Sequence, residues 1–160
     1  MQGEEAAPAP FLRSLAKSID GDTFLESVIL TCLCFRLFPS GEAQVATAGH
    51  PAPFLSTRKG AKAAGIAGPL PALASAAGYN ALSLQLGRGE KIVFVTDGFL
   101  QSFGREGSGH APLLKILEET QEAHAGDMAE ALWRAHMAQK GTMAKDDATL
   151  VVAEYGGTDE

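Results

Sequence analysis

Between Ser27 and Phe38 two apolar series interleave in one short segment. In an extended chain Val28, Leu30, Cys32 and Cys34 fall on one face, and Ile29, Thr31, Leu33, Phe35 and Leu37 on the other. A strand that is apolar on both sides needs cover on both sides, so this segment reads as an interior strand of a layered fold. Pro39-Ser40-Gly41 is turn chemistry, and Glu42 to Thr47 returns as a second strand to make a hairpin. At 160 residues the chain is long enough to build a core around them.

The remaining elements follow from periodicity. Phe11, Leu12, Leu15 and Ile19 recur at helical spacing, and Gly21 closes that short helix. Phe54 to Ser56 suggests a third strand. Thr57 to Gly78, rich in Ala, Gly, Pro and Lys, reads as a long surface excursion. Leu82, Leu84 and Leu86 alternate with polar residues, Gly87 to Glu90 turns the chain, and Ile92 to Val95 runs back, which predicts a second hairpin with one buried strand. Pro112 to Ala123 and a segment capped by Asp127, with Glu130 three residues on, read as helices, the second ended by Gly141. Thr149 to Ala153 is a last apolar strand. The expected class is α+β with mostly antiparallel pairing. The expected organisation is a flexible arm over 1–10, a domain over 11–155 and a tail over 156–160.

Charge and composition narrow the function classes. The net charge of −6 lacks the basic footprint of a nucleic-acid binder. No apolar run approaches the length of a bilayer span. Met1 to Pro10 has no basic region followed by an apolar stretch, so the expected location is the cytoplasm. Cys32 and Cys34 are too close in sequence for an ordinary structural disulfide. They could form a redox or metal pair; two small apolar residues of a core is the favoured reading.

Two acidic sites sit at the edges of apolar strands. Asp97 follows Ile92 to Val95, and Asp146 with Asp147 precedes Thr149 to Val152. If those strands are antiparallel neighbours, the carboxylates converge on one rim, where hard oxygen ligands suit Mg²⁺ or Mn²⁺. The alternative is plain turn chemistry, since Asp before Gly marks turns and an Asp pair can simply be solvated. His50, before Pro51, reads as a loop anchor rather than a catalytic base. His110, His124 and His136 read as surface or helix-face residues, Trp133 as core. The glycine-rich stretch from Gly104 to Gly109 reads as a flexible loop, since it lacks the Lys-Ser/Thr ending of a phosphate-binding loop.

Taken in order, four segments resemble the metal-dependent protein serine/threonine phosphatases of the type 2C superfamily, in the stage II sporulation protein E and sigma-factor regulator branch. They are Thr47-Ala48-Gly49-His50-Pro51-Ala52-Pro53, Gly68-Pro69-Leu70, Val95-Thr96-Asp97-Gly98-Phe99, and Lys145-Asp146-Asp147-Ala148-Thr149-Leu150-Val151-Val152. The resemblance implies an α-β-β-α sandwich of two antiparallel sheets. It also implies a binuclear Mn²⁺ or Mg²⁺ centre with Asp97 and Asp146 as metal ligands. Asp147 occupies a more variable position. The implied activity is hydrolysis of phosphoserine or phosphothreonine on a bacterial regulatory protein, such as an anti-sigma-factor antagonist.

One departure stands out. The family's Gly-Asp-x-Ser-Gly-x-Gly stretch, whose Asp bridges the metals, has no match; Asp20-Gly21-Asp22-Thr23 shares only Gly-Asp. The expectation is therefore a chain corresponding to the C-terminal two-thirds of the domain, without its N-terminal strands. Exposed strand edges would then favour a homo-oligomer or aggregation. The rival expectation is an inactive remnant that binds a regulatory partner.

Overall fold

The computed structural model describes residues 7–20, 29–71, 78–103, 110–139 and 147–157. The elements in chain order are α1 (Pro8–Ile19), β1 (Cys32–Leu37), β2 (Glu42–Ala48), β3 (Phe54–Thr57), β4 (Gly60–Ala63), β5 (Leu82–Gln85), β6 (Lys91–Val95) and α2 (Asp97–Leu100). After a 3₁₀ turn at Gln101–Phe103 come α3 (Ala111–Glu119), α4 (Ala125–Gln139) and β7 (Leu150–Glu154). All strand pairs within the two sheets are antiparallel, which makes the class α+β as expected. The chain divides into two compact units: residues up to Ala52 with Gly65–Gln85, and Pro53–Ala64 with the residues from Leu86 on.

The first unit is a sheet in the order β1-β2-β5 covered by α1. Helix α1 begins at Pro8, three residues before the apolar periodicity does, because proline suits the first helical turn. Ala9, Leu12, Ala16 and Ile19 form its buried stripe. Ala46 and Ala48 of β2 lie in the same cluster and are small enough to let the helix approach. Cys32 and Cys34 pack partly buried against it, as two members of a core face. Strand β1 differs from expectation. Among the described strands it pairs with β2 alone, all six of its residues are half-buried, and Ile29 and Leu30 before it are 84% and 40% exposed. Two apolar faces show that a strand can use cover; they do not supply a neighbour along its edge. Ser27 and Val28 lie outside the described residues.

Two of the motifs prove to be one piece of backbone packing. Gly49 has φ +67° and donates to the Gly68 carbonyl at 2.9 Å. A methyl on Gly49 would stand 2.3 Å from Leu70 Cδ2, and one on Gly68 would stand 1.9 Å from the Thr47 carbonyl oxygen. At Gly68 the clash is with backbone, so only glycine fits; at Gly49 a side chain would be strained by the positive φ and would have to displace Leu70. The excursion after Thr57 is thus less free than its composition suggests: it makes β4, then runs back along the end of β2.

The second unit is a sheet in the order β4-β3-β6-β7 with α3 and α4 packed on it. Strand β6 has a partner on each edge, and Ile92, Val93 and Val95 are fully buried, as its apolar run predicts. The predicted hairpin of Leu82–Leu86 with Ile92–Val95 does not form. The Gly87–Glu90 turn closes, but β5 pairs with β2 in the other sheet while β6 is taken by β3 and β7. Turn chemistry reverses a chain; which edges then meet is decided by burial. Strand β7, the outer neighbour of β6, is only half-buried and leaves Val151 exposed.

Leu113, Leu117, Met128 and Leu132 of the two helices form one cluster with Phe54, Val93, Val95 and Phe99. Helix α4 starts at Ala125, so Asp127 lies in its first turn instead of capping it. The Glu154 carboxylate of β7 takes the Ala125 N–H at 2.8 Å. Trp133 is 41% exposed, not core, whereas His136 is buried. The His136 ring stacks on Phe99 at 4.7 Å and its Nδ1 lies 2.7 Å from the Ser102 hydroxyl.

Two outcomes follow for the first unit. Gly68→Ala should lose about 3 kcal/mol in urea unfolding, because its methyl meets backbone that cannot rotate away. The Cys34 thiol is pushed up to about 12, first by burial, then by the adjacent Cys32. The unfolded chain releases that proton near an ordinary thiol value of ~8.5. The thiol's contribution to stability is therefore complete below ~8.5 and is lost as pH rises toward 12. Cys34→Ala should flatten the fall of the urea midpoint in that alkaline range, and wild-type Cys34 should react sluggishly with iodoacetamide at pH 8.

Candidate functional site

In the second unit β6 and β7 pair from Lys91↔Glu154 to Val95↔Leu150. The end of one strand therefore lies beside the start of the other. Asp97 leaves β6 as the first residue of α2, with its side chain exposed. Asp147 approaches β7 on the same rim and is also exposed. Asp146 lies outside the described residues, as does the loop from Gly104 to Gly109.

Thr96 holds this rim together. Its backbone N–H donates to the Thr149 carbonyl at 3.2 Å. Its hydroxyl accepts the Thr149 N–H at 2.9 Å and donates to the Asp147 carbonyl at 3.3 Å. A threonine at a helix N-cap ordinarily turns its oxygen to its own helix. Here the hydroxyl makes no capping bond to α2 and reaches across to the neighbouring strand instead. Phe99 and Leu100, just inside α2, are buried, so the helix that begins with Asp97 is anchored from beneath. Periodicity marked the two acidic sites but not Thr96. The available signal was a threonine between an apolar strand and an Asp-Gly pair.

The donors are right in kind for a hard divalent ion: exposed carboxylate oxygens on a backbone that is tied down. Among the described residues, no group of three or more His, Cys, Asp or Glu side chains could hold a metal ion. His50 belongs to the first unit, where its Nδ1 lies 3.2 Å from the Thr31 hydroxyl, a loop anchor as expected. His110 stands edge-on to Phe54 and has φ 52°, and His124 lies 3.8 Å from Glu154. Cys32 and Cys34 pack partly buried in the α1 cluster and belong to no group of three ligating side chains among the described residues.

A fold of two antiparallel sheets with helices is shared with type 2C protein phosphatase domains of known structure. The chain belongs to the stage II sporulation protein E family, whose model matches residues 1–156. The RsbU and RsbW domains of Rv1364c from Mycobacterium tuberculosis are 30% identical at TM-score 0.65, over 92% of this chain and 41% of that one. The phosphatase domain of the cell fate determinant SpoIIE from Bacillus subtilis, presoaked with Mn, shares the fold at TM-score 0.63 and 13% identity, over 93% of this chain and 75% of that one. The SiaA-PP2C domain of Pseudomonas aeruginosa does so at TM-score 0.73 and 18% identity, covering 96% and 60%. The chain spans less than half the length of the first of these and three-fifths of the third. A comparison with curated proteins returns no match. The family is one of serine/threonine phosphatases, hydrolases that in general depend on Mn²⁺ or Mg²⁺.

Thr96→Val keeps the shape and removes both hydroxyl bonds. It should cost about 1 kcal/mol in urea unfolding and speed amide exchange at Thr149 more than at Val93.

Proposed function

We propose that the chain serves a metal-dependent phosphoprotein phosphatase, with Asp97 and Asp146 as metal ligands and a phosphorylated bacterial regulatory protein, such as an anti-sigma-factor antagonist, as substrate. The observation that supports it most is the Thr96 tie, which joins the backbone next to Asp97 to that of Asp147 and Thr149, directly after Asp146 in sequence. Mn²⁺ or Mg²⁺ held there would supply an acidified, oriented water and neutralise phosphoryl charge. The chain's own part is positioning. Thr96 sets the spacing of the strand ends, buried Phe99 steadies the turn that carries Asp97, and Asp97 offers its oxygens to solvent. Phosphoryl transfer demands mainly such positioning and charge, and needs no cysteine nucleophile.

A second reading, a non-catalytic module that binds a regulatory partner, draws on the charge count. Asp97, Asp146 and Asp147 carry at most three negative charges against the four positive charges of an ion pair. Donors from this set alone would hold a second ion weakly.

The test is Mn²⁺-dependent hydrolysis of a phosphoserine peptide. Residues 1–160 alone should turn over little. Joining a segment with the family's Gly-Asp-x-Ser-Gly-x-Gly stretch should raise the rate, and Asp97→Ala or Asp146→Ala should then lower it on the order of a hundredfold or more. Turnover indifferent to both substitutions would overturn the ligand assignment. Robust turnover by residues 1–160 would show that Asp20, Asp22 or a second subunit completes the site.

A further inference from the structure

At the end of β6 away from Asp97, the second unit holds a polar cavity of about 100 Å³, lined among others by Arg58, Arg88, Lys91, Gln121, His124 and Glu154. The β3–β4 turn, the turn before β6, the α3–α4 link and the end of β7 supply its walls. Lys91 opens β6 and is only 2% exposed. Its ammonium donates to the Gly89 carbonyl at 2.7 Å and the Gln121 carbonyl at 2.9 Å. That satisfies two of the three N–H donors an ammonium carries. None of the ion pairs among the described residues includes Lys91, Arg58 or Arg88.

The carboxylates on the same walls each take at least one N–H group. Glu90 takes the Arg58 N–H at 3.0 Å on one oxygen and the Gly87 N–H at 2.8 Å on the other. Glu154 takes the Ala125 N–H, and Glu122 is approached by Gln121 Nε2 at 3.5 Å. Three cations and three carboxylates cancel in formal charge across the lining. What differs is hydrogen bonding: Glu90 and Glu154 accept backbone N–H groups, while the Lys91 ammonium has one donor beyond its two carbonyl bonds and both guanidinium groups stand outside the ion pairs of the described residues. A charge taken out of water as fully as Lys91 is stabilised by an opposite charge beside it. Guanidinium groups match phosphate oxygens two at a time. We infer that this cavity binds a phosphate-type oxyanion through Lys91, Arg58 and Arg88, at a place separate from the carboxylate rim.

The anion could be free or borne on a protein, and one titration distinguishes the two. Inorganic phosphate is added to the ¹⁵N-labelled 160-residue chain in EDTA, at ionic strength matched with chloride, with a phosphoserine peptide titrated in parallel. Saturable amide shifts are expected at Arg58, Gly89 and Lys91, without matching shifts at Asp97 and Gly98. The Arg58→Ala/Arg88→Ala double variant removes two exposed side chains, so it should fold, and should bind about tenfold more weakly or worse. Tighter binding of the peptide at the same amides would assign the cavity to a phosphoprotein; binding of inorganic phosphate alone would assign it to the free ion. Absence of saturable shifts, shifts confined to Asp97 and Gly98, or shifts undiminished in the double variant would each overturn the inference.

Discussion

Burial of β6 from both edges and both faces is the constraint on which the second unit depends. Ile92, Val93 and Val95 have no exposed surface to speak of, and a strand so buried must satisfy its backbone on both sides. It takes β3 on one side and β7 on the other. The helices then find a continuous apolar floor, where Leu113, Leu117, Met128 and Leu132 settle against Phe54 and Val93. The Asp97 rim and the Lys91 cavity lie at opposite ends of β6. Asp97 is where the chain comes out at one end, and Lys91 is where it goes in at the other.

Both ends show how polar groups are managed beside a buried strand. At the Asp97 end the Thr96 hydroxyl closes the gap to β7 by serving as acceptor and donor at once, which fixes the distance between the two acidic segments without using either carboxylate. The Asp97 side chain stays exposed to solvent. At the Lys91 end the ammonium ties the turn before β6 to the link after α3 through two carbonyls. One of those, at Gln121, follows the C-terminus of a helix, where a cation is favoured. The strand is held at both ends by side-chain bonds to backbone, and each end leaves polar groups facing outward.

The first unit works by close approach. Alanines on β2 let α1 down onto the sheet, and Gly49 and Gly68 let two loops meet backbone to backbone. The glycines of two short motifs are thereby explained by packing and need no direct role in chemistry. Cys32 and Cys34 fall under the same account: neighbours on one face, beneath α1, with the Cys34 thiol held protonated by its surroundings.

Local pattern carried a good deal. The alternation in Leu82–Gln85, the unbroken run of Ile92–Val95 and the helical stripe of Leu12, Ala16 and Ile19 each set which residues turn inward, because side-chain direction follows from backbone period alone. The acidic residues that flank β6 and β7 were legible for the same reason: a polar residue at the end of a buried run must lie where the strand meets solvent. Pairing was not legible. Nothing local told β5 to join β2 instead of β6, or gave β1 one neighbour among the described strands, since an edge is filled by whichever strand buries the most surface there. Nor could spacing show that Thr96 would reach across to Asp147 and Thr149, that His136 would be buried while Trp133 stayed half-exposed, or that Lys91 would sit in the interior. Those outcomes depend on contacts between residues far apart in sequence. The sequence determined the elements, their inward faces and the acidic rim; the tertiary structure alone decided their partners, because hydrogen-bonded edges and buried charges are settled by what lies beside them in space.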